Sequence, residues 1–167
     1  MKLLIIISLI TLATLNAFAQ SDCITATSVC NFVYDENNSP AGTGAIFETS
    51  PGSCQTGGEF NSAWYIFSPQ SDGSFGFLLQ PSDLDDDYDW SLFDITDNGC
   101  AGITNGLSPE ISCNSYGEFA GTPNGPTGIS TASGGTGNFN GPGNIAGPPF
   151  NADMNVTAGS IYALVVM

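Results

Sequence analysis

Apolar residues along this chain alternate with polar ones in short runs, and nowhere do they recur at a sustained helical period. Ser62-Ala63-Trp64-Tyr65-Ile66-Phe67-Ser68 predicts a strand, closed by Pro69 and the Ser71-Asp72-Gly73 turn. In the next run, Phe75, Phe77 and Leu79 fall on one face, and the two runs together predict a hairpin. Tyr88 to Ile95 predicts a third strand, with Ile111-Ser112-Cys113 a short partner for it. Phe150 to Val156 and Ser160 to Val166 complete the pattern, joined at Thr157-Ala158-Gly159. The last run alternates Ile161, Ala163 and Val165 against Tyr162, Leu164 and Val166. Nearer the start, residues 20–34 predict a first strand with Val29, Phe32 and Val33 near its end. Ala45-Ile46-Phe47 predicts a short pairing segment between turns at Asn37-Asn38-Ser39-Pro40 and Ser50-Pro51-Gly52-Ser53.

The connections are rich in Gly, Pro, Ser, Thr and Asn. Short strands separated by such turns predict an all-β fold, an antiparallel β-sandwich of jelly-roll type with long Gly/Pro-rich loops. Trp64, Tyr88 and Trp90 are assigned to its core, because aromatic side chains dominate sandwich interiors. The longest connection, Asn114 to Pro149, holds few apolar anchors beyond Tyr116, Phe119 and Phe139. A loop of that length is either functional or loosely ordered. Its amides and isolated aromatics suit glycan contacts, and they equally describe a flexible loop.

Residues 1–19 have the form of a secretory signal peptide: Lys2, an apolar core from Leu3 to Leu15, then Ala17-Phe18-Ala19. That core is shorter than the roughly 20 residues of a spanning helix. Its removal leaves about 148 residues, enough for one domain, in a secreted or outer-surface location with no membrane insertion. Lys2 is the single basic residue against sixteen acidic ones, and there is no His. A chain without cations repels phosphate backbones, so nucleic acid is excluded as a partner. A glycan or a protein at the cell surface fits better.

Five cysteines in an exported chain predict disulfides. Cys100 with Cys113 would close the loop after the Trp90 strand, and Cys23 with Cys30 a smaller loop. One of Cys23, Cys30 and Cys54 is left over, and sequence does not say which. The chain lacks a CxxC pair and His, which argues against zinc.

The densest chemistry is Asp83-Leu84-Asp85-Asp86-Asp87-Tyr88-Asp89-Trp90. Asp83, Asp85, Asp87 and Asp89 alternate, with Asp94 eleven residues after Asp83, mimicking the oxygen offsets of a calcium loop. Tyr88 stands where such a loop needs Gly, and the flanks are strands, so an EF-hand is excluded. A β-sandwich calcium site and a solvated acidic loop both satisfy these residues. Catalysis by a nucleophile–His pair is excluded without His, and Lys or Arg chemistries are absent. No enzyme is predicted. Asn37-Asn38-Ser39 and Asn155-Val156-Thr157 match a glycosylation sequon, a short pattern that carries no argument here.

The order Ser62-Ala63-Trp64-Tyr65-Ile66-Phe67, Gly73-Ser74-Phe75-Gly76-Phe77 and Asp87-Tyr88-Asp89-Trp90-Ser91-Leu92-Phe93-Asp94-Ile95 carries a resemblance. It resembles the N-terminal β-sandwich domains of Bacteroidetes surface proteins exported by type IX secretion. Those proteins end in gliding-motility-associated or type B sorting domains. Ile111-Ser112-Cys113-Asn114, Gly125-Pro126-Thr127-Gly128-Ile129, Pro149-Phe150 and Val156-Thr157-Ala158-Gly159-Ser160-Ile161-Tyr162 fit in order, so the resemblance covers roughly residues 22 to 166. More distantly, the strands are similar to the bacterial pre-peptidase C-terminal domain. The resemblance implies a non-catalytic module for adhesion or ligand binding, with calcium as a structural stabiliser. A carbohydrate-binding or pre-peptidase-like accessory domain of a secreted hydrolase is the alternative. Family members continue into further domains, so this chain is expected to be a fragment of a longer protein, as its odd cysteine also suggests.

Overall fold

Three strands carry the most continuous apolar sequence: β2 (Ala63–Phe67), β5 (Trp90–Asp94) and β11 (Tyr162–Val166). In the computed structural model they lie side by side at the centre of one six-stranded sheet. A central strand covered on both faces must be apolar at odd and even positions alike, which explains the continuity. Residues 20–37, 40–48, 54–55, 58–117, 125–141 and 147–167 are described. The leader assigned to residues 1–19, the Ser50–Ser53 turn, Asn38, Ser39 and Phe119 lie outside them.

The large sheet runs β1-β2-β11-β5-β6-β8, adding β1 (Thr27–Ser28), β6 (Glu110–Asn114) and β8 (Phe139–Asn140). The outer pairings β1–β2 and β6–β8 are parallel, and the inner ones antiparallel. Two small sheets accompany it. β3 (Gly73–Phe75) pairs with β10 (Met154–Val156), and β4 (Phe77–Leu79) pairs with β7 (Thr127–Ile129), which pairs with β9 (Phe150–Asn151). The all-β expectation holds.

Each face of the large sheet has its own core. On one side Trp64, Phe93, Ala163 and Val165 pack with Ile95, Ile103 and Cys23. On the other, Trp90, Leu92, Tyr162 and Leu164 meet Ile129 and Val156 of the small sheets. A row of rings crosses that second core: Tyr162 to Phe67 at 5.3 Å, Phe67 to Phe75 at 4.6 Å, Phe75 to Phe77 at 5.9 Å, Phe77 to Trp90 at 4.9 Å. Trp64 and Trp90 are fully buried as expected, and Tyr88 is half-buried.

Four expectations are corrected. The Ser62–Ser68 run makes no hairpin with its successor, because β2 is already paired on both edges by β1 and β11. The successor itself splits at Gly76 into β3 and β4, which enter different sheets. A Cβ at Gly76 would lie 2.7 Å from the Ile129 carbonyl oxygen, so only glycine admits that approach. Likewise, Phe150 to Val156 divides into β9 and β10. Within 20–34 only Thr27–Ser28 is a strand, and Phe32 and Val33 are exposed; Ala45-Ile46-Phe47 forms no strand.

The disulfides are also corrected. Cys23 pairs with Cys100 and Cys54 with Cys113, while Cys30 is free and exposed. The expected Cys100–Cys113 and Cys23–Cys30 bridges do not form. Cys100 precedes α1 (Ala101–Thr104) beside the Trp64 core, where buried Cys23 also sits, whereas Cys113 lies on β6. Two disulfides are the mark of an oxidising environment. Among the described residues, no helix is long and apolar enough to cross a membrane.

Candidate functional site

The acidic run forms the connection into β5. Asp83 closes a local turn: its carbonyl accepts the Asp86 N–H at 3.1 Å and its Oδ1 the Asp85 N–H at 3.0 Å. Asp83, Asp85, Asp86 and Asp87 are exposed. The Asp87 carboxylate lies over Gly117, where an added Cβ would fall 1.9 Å from Oδ2. Asp89 is half-buried and exchanges two backbone hydrogen bonds with Met167, at 3.1 and 2.8 Å. Burial, with Asp87 adding like-charge repulsion, pushes its carboxyl up to about 7. Among the described residues, no group of three or more His, Cys, Asp or Glu is placed to hold a metal ion. One oxygen of Asp83 is held by its own turn, and the Asp87 carboxylate lies against Gly117.

Three buried carboxylates lie elsewhere, and nothing in the sequence singled them out. Asp22, Glu48 and Glu59 are 4%, 2% and 2% exposed in a chain whose only cation is Lys2. Backbone and indole N–H groups take the place of cations. Asp22 Oδ1 accepts the Ala45 and Ile46 N–H groups, both at 2.8 Å. Glu48 Oε2 accepts the Cys23 N–H at 2.7 Å. Glu59 Oε2 accepts the Glu48 N–H and its Oε1 the Trp64 indole N–H, both at 2.8 Å. These bonds lace Ala45, Ile46, Glu48 and Glu59 onto the Trp64 core. Burial raises the Glu48 carboxyl to about 7; the Cys23 N–H opposes this, and Glu59 and Asp22 reinforce it. Every carboxylate here is committed to the chain itself, which makes the set structural.

A second buried network joins the sheets on the opposite face. Asn151, fully buried, donates through Nδ2 to Ser112 Oγ, the Cys113 carbonyl and the Asn138 carbonyl, at 2.7–2.9 Å. Its Oδ1 accepts from Asn114 Nδ2 at 2.9 Å and from Asn140 Nδ2 at 2.6 Å. The Asn138 carbonyl also accepts the Cys113 N–H and the Ser112 hydroxyl. Amide side chains can bridge in this way because each offers two donors and an acceptor. The backbone at Asn138 is thereby fixed.

Beside that network an open groove of about 550 Å³ is lined by Asp94, Asn138, Asp153, Asn155 and Tyr162, with Ile111 and Met154 as its apolar wall. Asp94, Asp153 and Tyr162 are each held by a nearby threonine. Asp94 Oδ1 accepts the Thr96 N–H at 3.0 Å and the Thr96 hydroxyl. Asp153 Oδ1 accepts the Thr131 N–H at 2.8 Å, and the Asp153 N–H returns a bond to Thr131 Oγ1 at 2.9 Å. Tyr162, which is 4% exposed, accepts the Thr157 N–H at its hydroxyl, 3.2 Å away. A second hollow of about 460 Å³, with Phe77, Leu78, Ser130 and Ser133, shares Asp153 with the first. Only Asp94 of these residues stood out in the sequence, through its offset from Asp83.

Comparison with protein-family models, curated proteins and solved structures found no match.

Proposed function

We propose that this chain is a non-catalytic, exported module for adhesion or ligand binding, and that it belongs to a larger cell-surface protein. The two-hollow groove around Asp153 carries the reading. Its two hollows bring carboxylates, amides and hydroxyls together beside apolar side chains, convergent polar groups of the kind that fix a ligand's orientation. The signal-like leader and two disulfides support export. The ordered strand motifs support an N-terminal β-sandwich of the type IX-exported surface proteins. The reading does not depend on calcium at Asp83, Asp85, Asp87 and Asp89, which would act only as a structural stabiliser.

The purified protein, incubated with immobilised cell-envelope glycans and proteins, is expected to be retained. The double substitution Asp153→Asn, Asn155→Ala should abolish retention while leaving the melting temperature near its parent value. Retention indifferent to the groove would defeat the proposal.

A further inference from the structure

We infer that the groove takes a neutral polyhydroxylated chain, an oligosaccharide laid across both hollows with Asp153 as the shared contact. The inference rests on the ligand-binding reading above and names its ligand class. It follows from which hydrogen-bonding groups the fold has left unspent.

Asp94 and Asp153 each hold one carboxylate oxygen on their own chain, and Oδ2 of each has no hydrogen-bond partner among the described residues. They are fixed acceptors. The side-chain amides of Asn138 and Asn155 likewise have no partner among the described residues, so each offers two donors and an acceptor. The Tyr162 hydroxyl is held in the wall by the Thr157 N–H. The groove therefore presents acceptors and donors together, beside apolar surface from Ile111 and Met154.

Three ligand classes can be weighed against that inventory. An anionic chain meets two carboxylates and no cation, and is repelled. The ammonium groups of a cationic chain would satisfy Asp94 and Asp153 but can only donate, which leaves the amide donors to whatever backbone carbonyls reach them. Sugar hydroxyls both donate and accept, so a neutral glycan satisfies Asp94, Asp153, Asn138 and Asn155 with one kind of group. Length follows from geometry. Asp153 lines both hollows, and the second adds Phe77, Leu78, Ser130 and Ser133 to the wall, so a chain has contacts that a single sugar lacks.

Calorimetry of the purified protein with neutral gluco-, manno- and xylo-hexasaccharides, their disaccharides, hexalysine and a hexauronate tests this. At least one neutral hexasaccharide should bind roughly tenfold or more tighter than its disaccharide, with affinity indifferent to salt. Asn155→Ala, at a side chain without a hydrogen-bond partner among the described residues, and Asp153→Asn should each weaken it several-fold. Asp97→Asn, outside the groove, should not. Binding of hexalysine alone, lost with Asp153→Asn but not Asp97→Asn, overturns the glycan and leaves the groove as a site. Salt-sensitive hexalysine binding that responds equally to Asp97→Asn, with no neutral sugar bound, overturns the glycan and the groove together. So does the absence of binding by every probe.

Discussion

Glu59 accepts the indole N–H of Trp64 through one carboxylate oxygen and the backbone N–H of Glu48 through the other, both at 2.8 Å. The pair joins the least exposed aromatic of the first core to the segment that carries Glu48. Glu59→Ala should therefore cost about 3 kcal/mol, because it strands two buried donors. Trp64→Phe keeps most of the apolar contact but leaves a buried carboxylate oxygen without its donor, and should cost about 2 kcal/mol. Urea melts of the two variants check both values. A loss under about 0.5 kcal/mol for Glu59→Ala would show that the lacing adds nothing.

Stability should fall as pH rises toward neutrality. The Glu48 carboxyl is raised from 4.5 to about 7 by burial, faced by Asp22, Glu59 and the Cys23 N–H. The Asp89 carboxyl is raised from 3.8 to about 7 by burial and by Asp87. A raised folded-state value means that the folded chain holds protons the unfolded chain has released. The contribution is full below about 4 and is lost as pH climbs through 7. Melting temperature should thus decline from pH 4.5 to pH 8, and Glu48→Gln with Asp89→Asn should flatten the decline. A flat profile in the parent protein would contradict this.

Peptide mapping without reduction should recover Cys23 joined to Cys100 and Cys54 joined to Cys113, with Cys30 alkylated directly. The bridges span 77 and 59 residues. In the chain-entropy account each stabilises by about 4 kcal/mol, so replacing either pair by Ser should lower the melting temperature sharply.

Asn151 makes five side-chain hydrogen bonds to groups within 3 Å, across β6, β8 and β9. Asn151→Leu fills similar space but strands these partners, and should cost about 3 kcal/mol or more. Asn151→Asp keeps the shape and removes the donors, so it should lose a comparable amount at neutral pH. Denaturant titration of the pair separates lost hydrogen bonding from lost volume.

Calcium and chelator should give melting temperatures that agree, since among the described residues no three acidic side chains are gathered to share an ion. A rise of several degrees with calcium would instead reveal a site, through the mass-action stabilisation of the folded form.

The class of fold was legible in the order of residues because strand periodicity is local. Trp64, Trp90, Phe93 and the alternating Tyr162–Val166 run declared themselves, and all lie in the two cores. Partners were not legible. β2 pairs with β11 almost a hundred positions away rather than with the next strand, since pairing depends on which edges remain open once the sheet assembles. Sequence distance likewise hid Cys23–Cys100 and the bond from the Cys23 N–H to Glu48. As for the acidic run, the sequence by itself determined its charge density and its place before β5. Only the tertiary structure decided that Asp94, Asn138, Asp153, Asn155 and Tyr162 would line one hollow. The reason is physical: charge and periodicity are properties of neighbouring residues, whereas a site is made by backbone that returns from far along the chain.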